Sequence, residues 1–306
     1  MTMPLSRSRM KKPNGLMRQG LRVALRTGRG RTGISLLSFV VLVAVAGPLV
    51  APHSPTAFVG MPSVSPTLAL PLGTDVLGRD VLSRLLCGGW SILWMAVAAT
   101  FFGVGGGALL GISAAYIGGK FEGIVMRIAD VILAFPQIVF ALMLVSIAGS
   151  HLWLVVAAVG ISHIPQVGRV MRAASLDVTE RDYVKASALM GFPRRTILRR
   201  DILPNVSAPL MVEIGLRLTY SVIIIAGLSF LGFGIEPPAP SWGAMINENQ
   251  LSLSLNAWSV VAPILMIAFL AVGVNMLTDA FGRAIGSDLT SVDSVQMKAS
   301  LEVGQS

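Results

Sequence analysis

The segment ILWMAVAATFFGVGGGALLGISAAYI, from Ile92 to Ile117, contains no charged residue. An α-helix rises about 1.5 Å per residue, so roughly 20 apolar residues are enough to cross the hydrocarbon core of a bilayer. A longer uncharged run predicts a transmembrane helix and not a core helix of a soluble domain. The chain is therefore predicted to be an integral membrane protein.

The composition of the whole chain agrees with that segment. Of 306 residues, 54% are hydrophobic and 13% are charged, whereas about a quarter are charged in a typical soluble domain. Among the other apolar runs, the one near 152–168 is short, and the one near 207–235 contains Glu213 and Arg217. The predicted fold class is all-α, a polytopic membrane protein with about six transmembrane helices near 34–50, 92–117, 131–149, 152–168, 207–235 and 257–277.

Positive charge is distributed unequally between the two predicted sides of the membrane. Twenty-one Lys and Arg residues lie on the side of 1–33, 118–127, 165–206 and the C-terminus, against two on the other side. Cytoplasmic segments carry the excess of positive charge, so both termini are expected in the cytoplasm. Because this charge lies beside apolar runs, anionic lipid headgroups are favoured over nucleic acid as its partner.

The expected domain organisation follows from these segments. Residues 1–33 hold nine Lys or Arg and no acid, which is too long a basic region for a cleavable signal peptide, and we expect a basic cytoplasmic tail. Residues 34–286 form the transmembrane domain, with a cytoplasmic loop at 169–206. Residues 287–306 form a C-terminal cytoplasmic tail.

The cytoplasmic loop is too long for a turn and is rich in helix-forming residues. We expect Thr179 to cap a first helix in a capping box with Asp182, and Gly191 to end that helix in the left-handed conformation. Pro193 suits the first turn of a second helix, which Pro204 is expected to stop. The pattern predicts two short helices with a bend, lying outside the membrane.

Two surfaces of this loop could meet a partner. Apolar side chains could enter a groove on another protein, and basic side chains could meet acidic residues or lipid headgroups. An interfacial loop that lies on the lipid fits the same pattern. The apolar set is Tyr183, Ala186, Leu189, Met190 and Phe192, and the basic set is Arg194, Arg195, Arg199 and Arg200.

Several residues in or beside the spans allow two interpretations each. The spacing Gly103-x-x-x-Gly107-x-x-x-Gly111 permits close helix approach, which we expect within this subunit and not at a dimer face. Asp130 is either a gate or pathway residue or a helix-end acid favoured by the N-terminal dipole.

Three residues nearer the C-terminus also allow two interpretations each. Glu213 and Arg217 are four residues apart and could pair on one helix face, but we favour an interfacial position from which Arg217 snorkels. Trp242 lies in the last external loop and is expected to be an interface anchor and not a substrate contact.

The cytoplasmic loop resembles the permease subunits of binding-protein-dependent ABC importers. Their signature is Glu-Ala-Ala, three residues, Gly, and an Ile-x-Leu-Pro ending. Here it reads Lys185-Ala186-Ser187, then Gly191, then Ile-Leu-Pro204, with Lys in place of the usual Glu and Ser in place of the second Ala.

Other blocks narrow the resemblance to the dipeptide, oligopeptide and nickel subtype, and to the C-type permease of its pair. They cover about 34–286 in the family's order. The blocks are PLGTDVLGRDVLSR (71–84), DVILAFP (130–136), LSFLGFG (228–234) and PPAPSWG (237–243).

The resemblance implies a type I ABC importer permease-like fold with a coupling helix in the cytoplasmic loop. It implies a second related permease, two ABC ATPase subunits and an extracytoplasmic solute-binding protein as partners, in the cytoplasmic (inner) membrane of a prokaryote. The solute would be a peptide, a nickel chelate, an opine or a similar small molecule. No cofactor and no catalytic or metal site is expected, and no Gly-x-x-x-x-Gly-Lys-Ser/Thr motif occurs, so ATP hydrolysis would belong to the partner subunits.

Three groups of residues are the candidate site. Asp130, Phe135 and Pro136 are candidates for the pathway or its gate. Asp75, Arg79 and Asp80 could contact the binding protein or brace the partner permease, and we favour bracing because a capped, charge-paired turn needs no ligand. The candidates for coupling to the ATPases, within 179–204, are Tyr183, Lys185, Ala186, Ser187, Leu189, Met190, Gly191, Phe192 and Pro204.

Two other classes of protein fit the sequence less well. A self-sufficient channel or secondary carrier would need paired intramembrane charges or repeated, broken helices, and neither is evident. A membrane-embedded protease would need its nucleophile and base together at membrane depth, which Ser162 beside His163 at a predicted helix end does not provide.

Overall fold

The computed structural model describes residues 27–149 and 151–303, so most of the predicted N-terminal tail and the last three residues lie outside it. A π-helical turn (Leu198–Ile202) and a 3-10 turn (Leu203–Val206) join the helix Arg194–Ile197 to the helix Ser207–Phe230. The helices are α1 (Gly28–Val50), α2 (Val81–Cys87), α3 (Gly89–Ile117), α4 (Gly119–Leu133), α5 (Gln137–Ala148), α6 (Leu152–Thr179), α7 (Asp182–Leu189), α8 (Arg194–Ile197), α9 (Ser207–Phe230), α10 (Trp242–Asn249) and α11 (Trp258–Val303).

The predicted all-α membrane fold is confirmed. Within the described residues, five helical segments are long and apolar enough to cross a membrane, and α4 with α5 makes a sixth if that bent pair is one span. The five segments are Gly28–Val50, Val81–Ile117, Leu152–Thr179, Arg194–Phe230 and Trp258–Arg283.

The continuous helix predicted over 131–149 is wrong. α4 ends at Leu133, α5 begins at Gln137, and their axes differ by 91°. Pro136 has no N–H to donate and disfavours a helical conformation in the residue before it, so an apolar run does not stay one helix here. With 12 residues, α5 is too short to span a bilayer alone.

Helix α3 packs lengthwise on α6 through a ridge of glycines. A Cβ added at Gly103 would lie 2.7 Å from the Cβ of His163, and one at Gly107 would lie 2.6 Å from the Cβ of Val167. At Gly111 an added Cβ would meet the α6 backbone itself. The glycine spacing therefore serves packing within this chain, as predicted.

Helices extend into residues predicted to be loop or tail, beginning with α1, which starts at Gly28 inside the predicted tail. α6 continues to Thr179 because Met171, Ser175 and Val178 are buried on it. The chain also stays helical past Pro204, which was expected to stop it. Pro204 lies in the first turn of the 3-10 segment, where the missing N–H leaves no hydrogen bond unmade. α11 likewise extends beyond the predicted end at 277.

Candidate functional site

Residues 180–206, the helical loop, connect α6 to α9 and contain α7 and α8. Val184 is buried and belongs to a small apolar cluster with Ile197 and Ile202, which fastens the loop to α3 and α6. The left-handed conformation predicted for Gly191 is confirmed by its φ of +78°. A Cβ at Gly191 would meet nothing within 4 Å, so only the backbone conformation calls for glycine there.

The capping box predicted at the start of the loop is wrong. Thr179 is the last residue of α6, and its hydroxyl donates to the carbonyl of Leu176 at 2.8 Å. α7 begins at Asp182 with Arg181 in the N-cap position, and no side chain caps it.

The loop presents apolar side chains to the outside around its turn. Leu189 and Met190 are 89% and 68% exposed, and Tyr183 and Phe192 are each about two fifths exposed. Among the other predicted coupling residues, Lys185, Ala186 and Pro204 are exposed and Ser187 is half-buried. Exposed apolar groups on a short helix are typical of a surface that another protein covers.

Four arginines follow this turn on α8 and the π-helical turn. Arg195, Thr196, Arg199 and Arg200 line an open groove of about 300 Å³. Arg194 is exposed beside them. None of the four arginines forms an ion pair with the part of the chain that the structure describes.

The bend between α4 and α5 consists of Ala134, Phe135 and Pro136, all exposed. Asp130 lies in the last turn of α4, and its half-exposed carboxylate pairs with Arg169 of α6. The alternative that the N-terminal dipole stabilises this acid is wrong, because the dipole at a helix C-terminus disfavours negative charge. The negative charge of Asp130 is stabilised instead by its ion pair with Arg169.

One face of α6 carries polar residues at spacings of three and four. Arg172 pairs with Glu122 in the first turn of α4, and Arg169 pairs with Asp130 in its last turn. Residues at these spacings share one helix face, so α6 holds both ends of α4.

The same face continues to a buried polar cluster around His163. Its Nδ1 lies 2.6 Å from Nε2 of Gln137, the first residue of α5, and its Nε2 lies 2.9 Å from the hydroxyl of Ser221 on α9. Gln137 also donates to Ser162 at 3.1 Å, and Thr100 of α3 lies 3.1 Å from Ser221. His163 is fully buried inside α6, so the helix end predicted for it is wrong.

The pair of Glu213 and Arg217 is confirmed, but the interfacial position favoured for it is wrong. Arg217 Nε donates to Glu213 at 3.0 Å, and both side chains are buried inside α9. Arg217 also donates to Gln166 of α6 and lies over the ring of Tyr220 at 5.1 Å. Arg217 is buried against Gln166 of α6, so it does not snorkel out of the protein as predicted.

A second charged group joins loop 51–80 to α10. Arg79 binds Asp75 at 2.6 Å and Glu248 at 2.5 Å, and Arg84 binds Glu248 at 2.9 Å. Asp75, Arg79 and Arg84 are buried, so this charge cluster (Asp75, Arg79, Arg84 and Glu248) fixes the loop on α10. Asp80 is not part of it.

Asp80 instead forms the N-cap of α2. Its carboxylate accepts from the backbone N–H groups of Leu82 and Ser83 and lies 3.2 Å from Nδ1 of His53. The three residues predicted as a brace are thus divided between two neighbouring polar groups.

The interface position expected for Trp242 is wrong. Its side chain is fully buried, its Nε1 donates to the carbonyl of Leu85 at 2.8 Å, and a Cβ at Gly89 would lie 2.5 Å from its ring. Trp242 therefore joins α10 to α2 and α3 in the core.

The polar face of α6 is the part of the site that sequence reasoning missed. Ser162, Gln166, Arg169 and Arg172 are spaced four, three and three residues apart, which is a detectable helical pattern. The predicted span ended at 168, so these residues were divided between a span and a loop.

Comparison with known proteins adds independent information. Residues 107–288 match the family described as "Binding-protein-dependent transport system inner membrane component". A putative peptide transport system permease protein of Brucella suis biovar 1 is 36% identical over 251 residues, which are 81% of this chain and 84% of that protein.

Two further relatives are named as glutathione transport system permease proteins. The one from Pectobacterium atrosepticum is 38% identical over 226 residues, 74% of this chain and 75% of that protein. The one from Escherichia coli O6:K15:H31 is 34% identical over 256 residues, 83% of this chain and 84% of that protein.

Proposed function

The chain belongs to the family of inner membrane components of binding-protein-dependent transport systems, and from this premise we propose that it forms half of the translocation pathway of an ATP-driven importer. A second related permease supplies the other half, two ABC ATPases bind on the cytoplasmic side, and a solute-binding protein delivers the solute outside. The chain itself is not an enzyme, and ATP hydrolysis belongs to the ATPase subunits.

The observation that carries this proposal is the apolar turn of the helical loop. Leu189 and Met190 are the most exposed apolar residues of α7 and its end, while Val184 fastens the same helix to the transmembrane domain. A helix that is anchored on one face and apolar on the other can enter a groove on an ATPase and pass its movement to the spans. Closure of the ATPases on ATP would then move α7 and switch access to the pathway.

The first experiment is a gentle detergent extraction of the tagged chain from its native membrane, followed by mass spectrometry. We expect a second multi-span permease and two ATPases. Leu189→Glu should remove the ATPases, whereas Leu189→Met, which keeps an apolar side chain at the same exposed position, should retain them. Recovery of the chain alone, or only with copies of itself, would refute the proposal and favour a self-sufficient channel or carrier.

The proposed solutes are peptides or similar small molecules, because the relatives are named for peptide and glutathione transport. Uptake of labelled dipeptide, tripeptide and glutathione should fall in cells that lack the chain and return when it is supplied. Unchanged uptake of all three would exclude this class of solute.

The proposed location is the inner membrane of a prokaryote, with both termini in the cytoplasm and with the domains predicted from the sequence. The support is the unequal distribution of Lys and Arg, twenty-one against two. Reporter fusions at the C-terminus and within loop 51–80 should report opposite sides of the membrane. The same side for both would contradict this topology.

The bend of α4 and α5 is the proposed pathway element. Phe135 is 47% exposed there, next to Pro136. Phe135→Ala should alter the rate or selectivity of transport without reducing the amount of assembled complex. Phe101→Ala, at another exposed phenylalanine, should leave transport unchanged and serves as the control.

The charge cluster is proposed as a brace for the external surface. Three of its charged side chains are buried and bonded, so loop 51–80 keeps one shape against α10. A fixed surface there can meet the binding protein and the second permease without first becoming ordered.

A further inference from the structure

We propose that the polar face of α6 transmits movement of the helical loop to the α4–α5 bend, and that His163, Arg169 and Arg172 are positioning residues for transport. This inference rests on the proposed coupling role of the helical loop. It adds the route by which that coupling reaches the pathway.

Continuity of α6 is the first step of the argument. The helix runs from Leu152 to Thr179 and stays helical through Pro165, and α7 begins three residues after its end. The rise of an α-helix places His163 about 24 Å from Thr179 along the axis. A displacement of α7 is therefore carried along α6 to the depth of the α4–α5 bend.

The second step is that polar contacts of α6 hold the chain on both sides of the bend. Arg172 and Arg169 hold the first and last turns of α4, and His163 with Ser162 holds Gln137, the first residue of α5. Phe135, between these contacts, is exposed, and its ring centroid lies 6.4 Å from that of Phe140 on α5. Movement of α6 therefore changes the angle of the bend.

The third step concerns the strength of these contacts. The pair of Arg169 and Asp130 is half exposed and that of Arg172 and Glu122 is partly exposed, so both contribute little to stability and can change during a transport cycle. The contact of Gln137 with His163 is part-buried, and breaking it would leave a nitrogen of the fully buried His163 without that partner in an apolar interior. The contact of Gln137 with His163 is therefore the fixed pivot, and the two ion pairs of α6 with α4 are the adjustable contacts.

The two nitrogens of His163 allow the pivot to be tested separately. An asparagine amide can occupy the position of Nδ1, which faces Gln137, and a glutamine amide can reach that of Nε2, which faces Ser221. His163→Asn should keep most of the transport per ATP hydrolysed, and His163→Gln should lose roughly tenfold. Ser221→Ala should resemble the wild type.

The ion pairs are tested by exchanging the charges. Glu122→Arg and Arg172→Glu should each lower transport per ATP hydrolysed by roughly tenfold, and the double variant should restore it. All values are taken at equal amounts of assembled complex with its ATPases. A purely structural pair would change the amount of complex and leave this ratio constant.

The outcomes separate this inference from the proposed function. Normal transport per ATP in the single charge variants and in His163→Gln, in a complex that retains its ATPases, would overturn the inference and leave the proposed function intact. Absence of ATPases from the wild-type complex would overturn both. If the His163 variants fail to accumulate, the charge exchange decides, and failure of the double variant to recover coupling counts against the inference.

Discussion

The contact between α3 and α6 can be tested by adding a single methyl group to α3. At Gly111 the three atoms nearest an added Cβ all belong to the α6 backbone, including the N of Arg172 at 2.9 Å and the C of Gly168 at 3.0 Å. At Gly105, on the same helix, an added Cβ meets nothing within 4 Å. The variants Gly111→Ala and Gly105→Ala therefore make the same chemical change, one inside the packed contact and one outside it.

The expected difference follows from packing. Carbon atoms pack at about 3.5–4.0 Å, so Gly111→Ala forces α3 and α6 apart by at least about 0.5 Å. Overpacking of this kind typically costs about 1–3 kcal/mol. Replacing glycine by alanine also stabilises a helix by roughly 0.5–1 kcal/mol, but this contribution is common to both variants. Gly111→Ala should therefore be about 1–3 kcal/mol less stable than Gly105→Ala.

The assay is the thermal unfolding of each purified variant complex in one detergent at one protein concentration. A change of 1 kcal/mol shifts Tm by about 2–4 °C for a domain of 150–250 residues, so Gly111→Ala should unfold roughly 2–12 °C below Gly105→Ala. Equal transitions would mean that the glycine ridge does not bring the two backbones together. A lower Tm for Gly105→Ala would place the packed face on the opposite side of α3, towards another subunit.

Three further predictions concern other parts of the chain. Glu248→Gln should lower the Tm of the complex by removing the charge that pairs with Arg84 at 2.9 Å, a loss of about 1–3 kcal/mol, and an unchanged Tm would contradict a bracing role. Trp242→Phe should lower the Tm by a similar amount, because the carbonyl of Leu85 loses its hydrogen-bond donor in a buried position. A fluorescent dye that binds exposed apolar surface should then report unfolding at a lower temperature. Gly191→Val should lose transport while the chain still inserts into the membrane, because a positive φ strains a β-branched residue. Gly191→Asn should keep most of the transport, because asparagine tolerates the left-handed conformation. Equal transport by the two variants would show that the left-handed turn is not needed.

The sequence predicted the spans that are single uncharged runs, because hydropathy alone determines them. It failed at 131–149, where apolar residues stand on both sides of Pro136 but the helix turns by 91°. A window average records how apolar a segment is and holds no information on direction. The proline was visible in the sequence, and its effect on the preceding residue would have been sufficient to predict a break.

The candidate site was predictable where it is local. The turn at Gly191 depends on the conformation of one residue, and its φ is as expected. The pairings of α6 are not local, since Arg169, Arg172 and Arg217 find partners 39 to 51 residues away. A helical spacing of polar residues can indicate a buried face, but the partners follow only from the tertiary structure.

Helix α6 has two kinds of contact, and they differ in what movement they allow. Its contact with α3 is made by glycines that bring backbone against backbone, so a shift along that contact produces clashes that no side chain can relieve. Its contact with α4 is made by partly exposed ion pairs, whose long side chains can follow a change of angle. We therefore expect α3 and α6 to move as one body, and the angle to change at α4 and α5. The exposed Phe135 lies at that angle, beside Pro136, where the chain passes from one helix to the other.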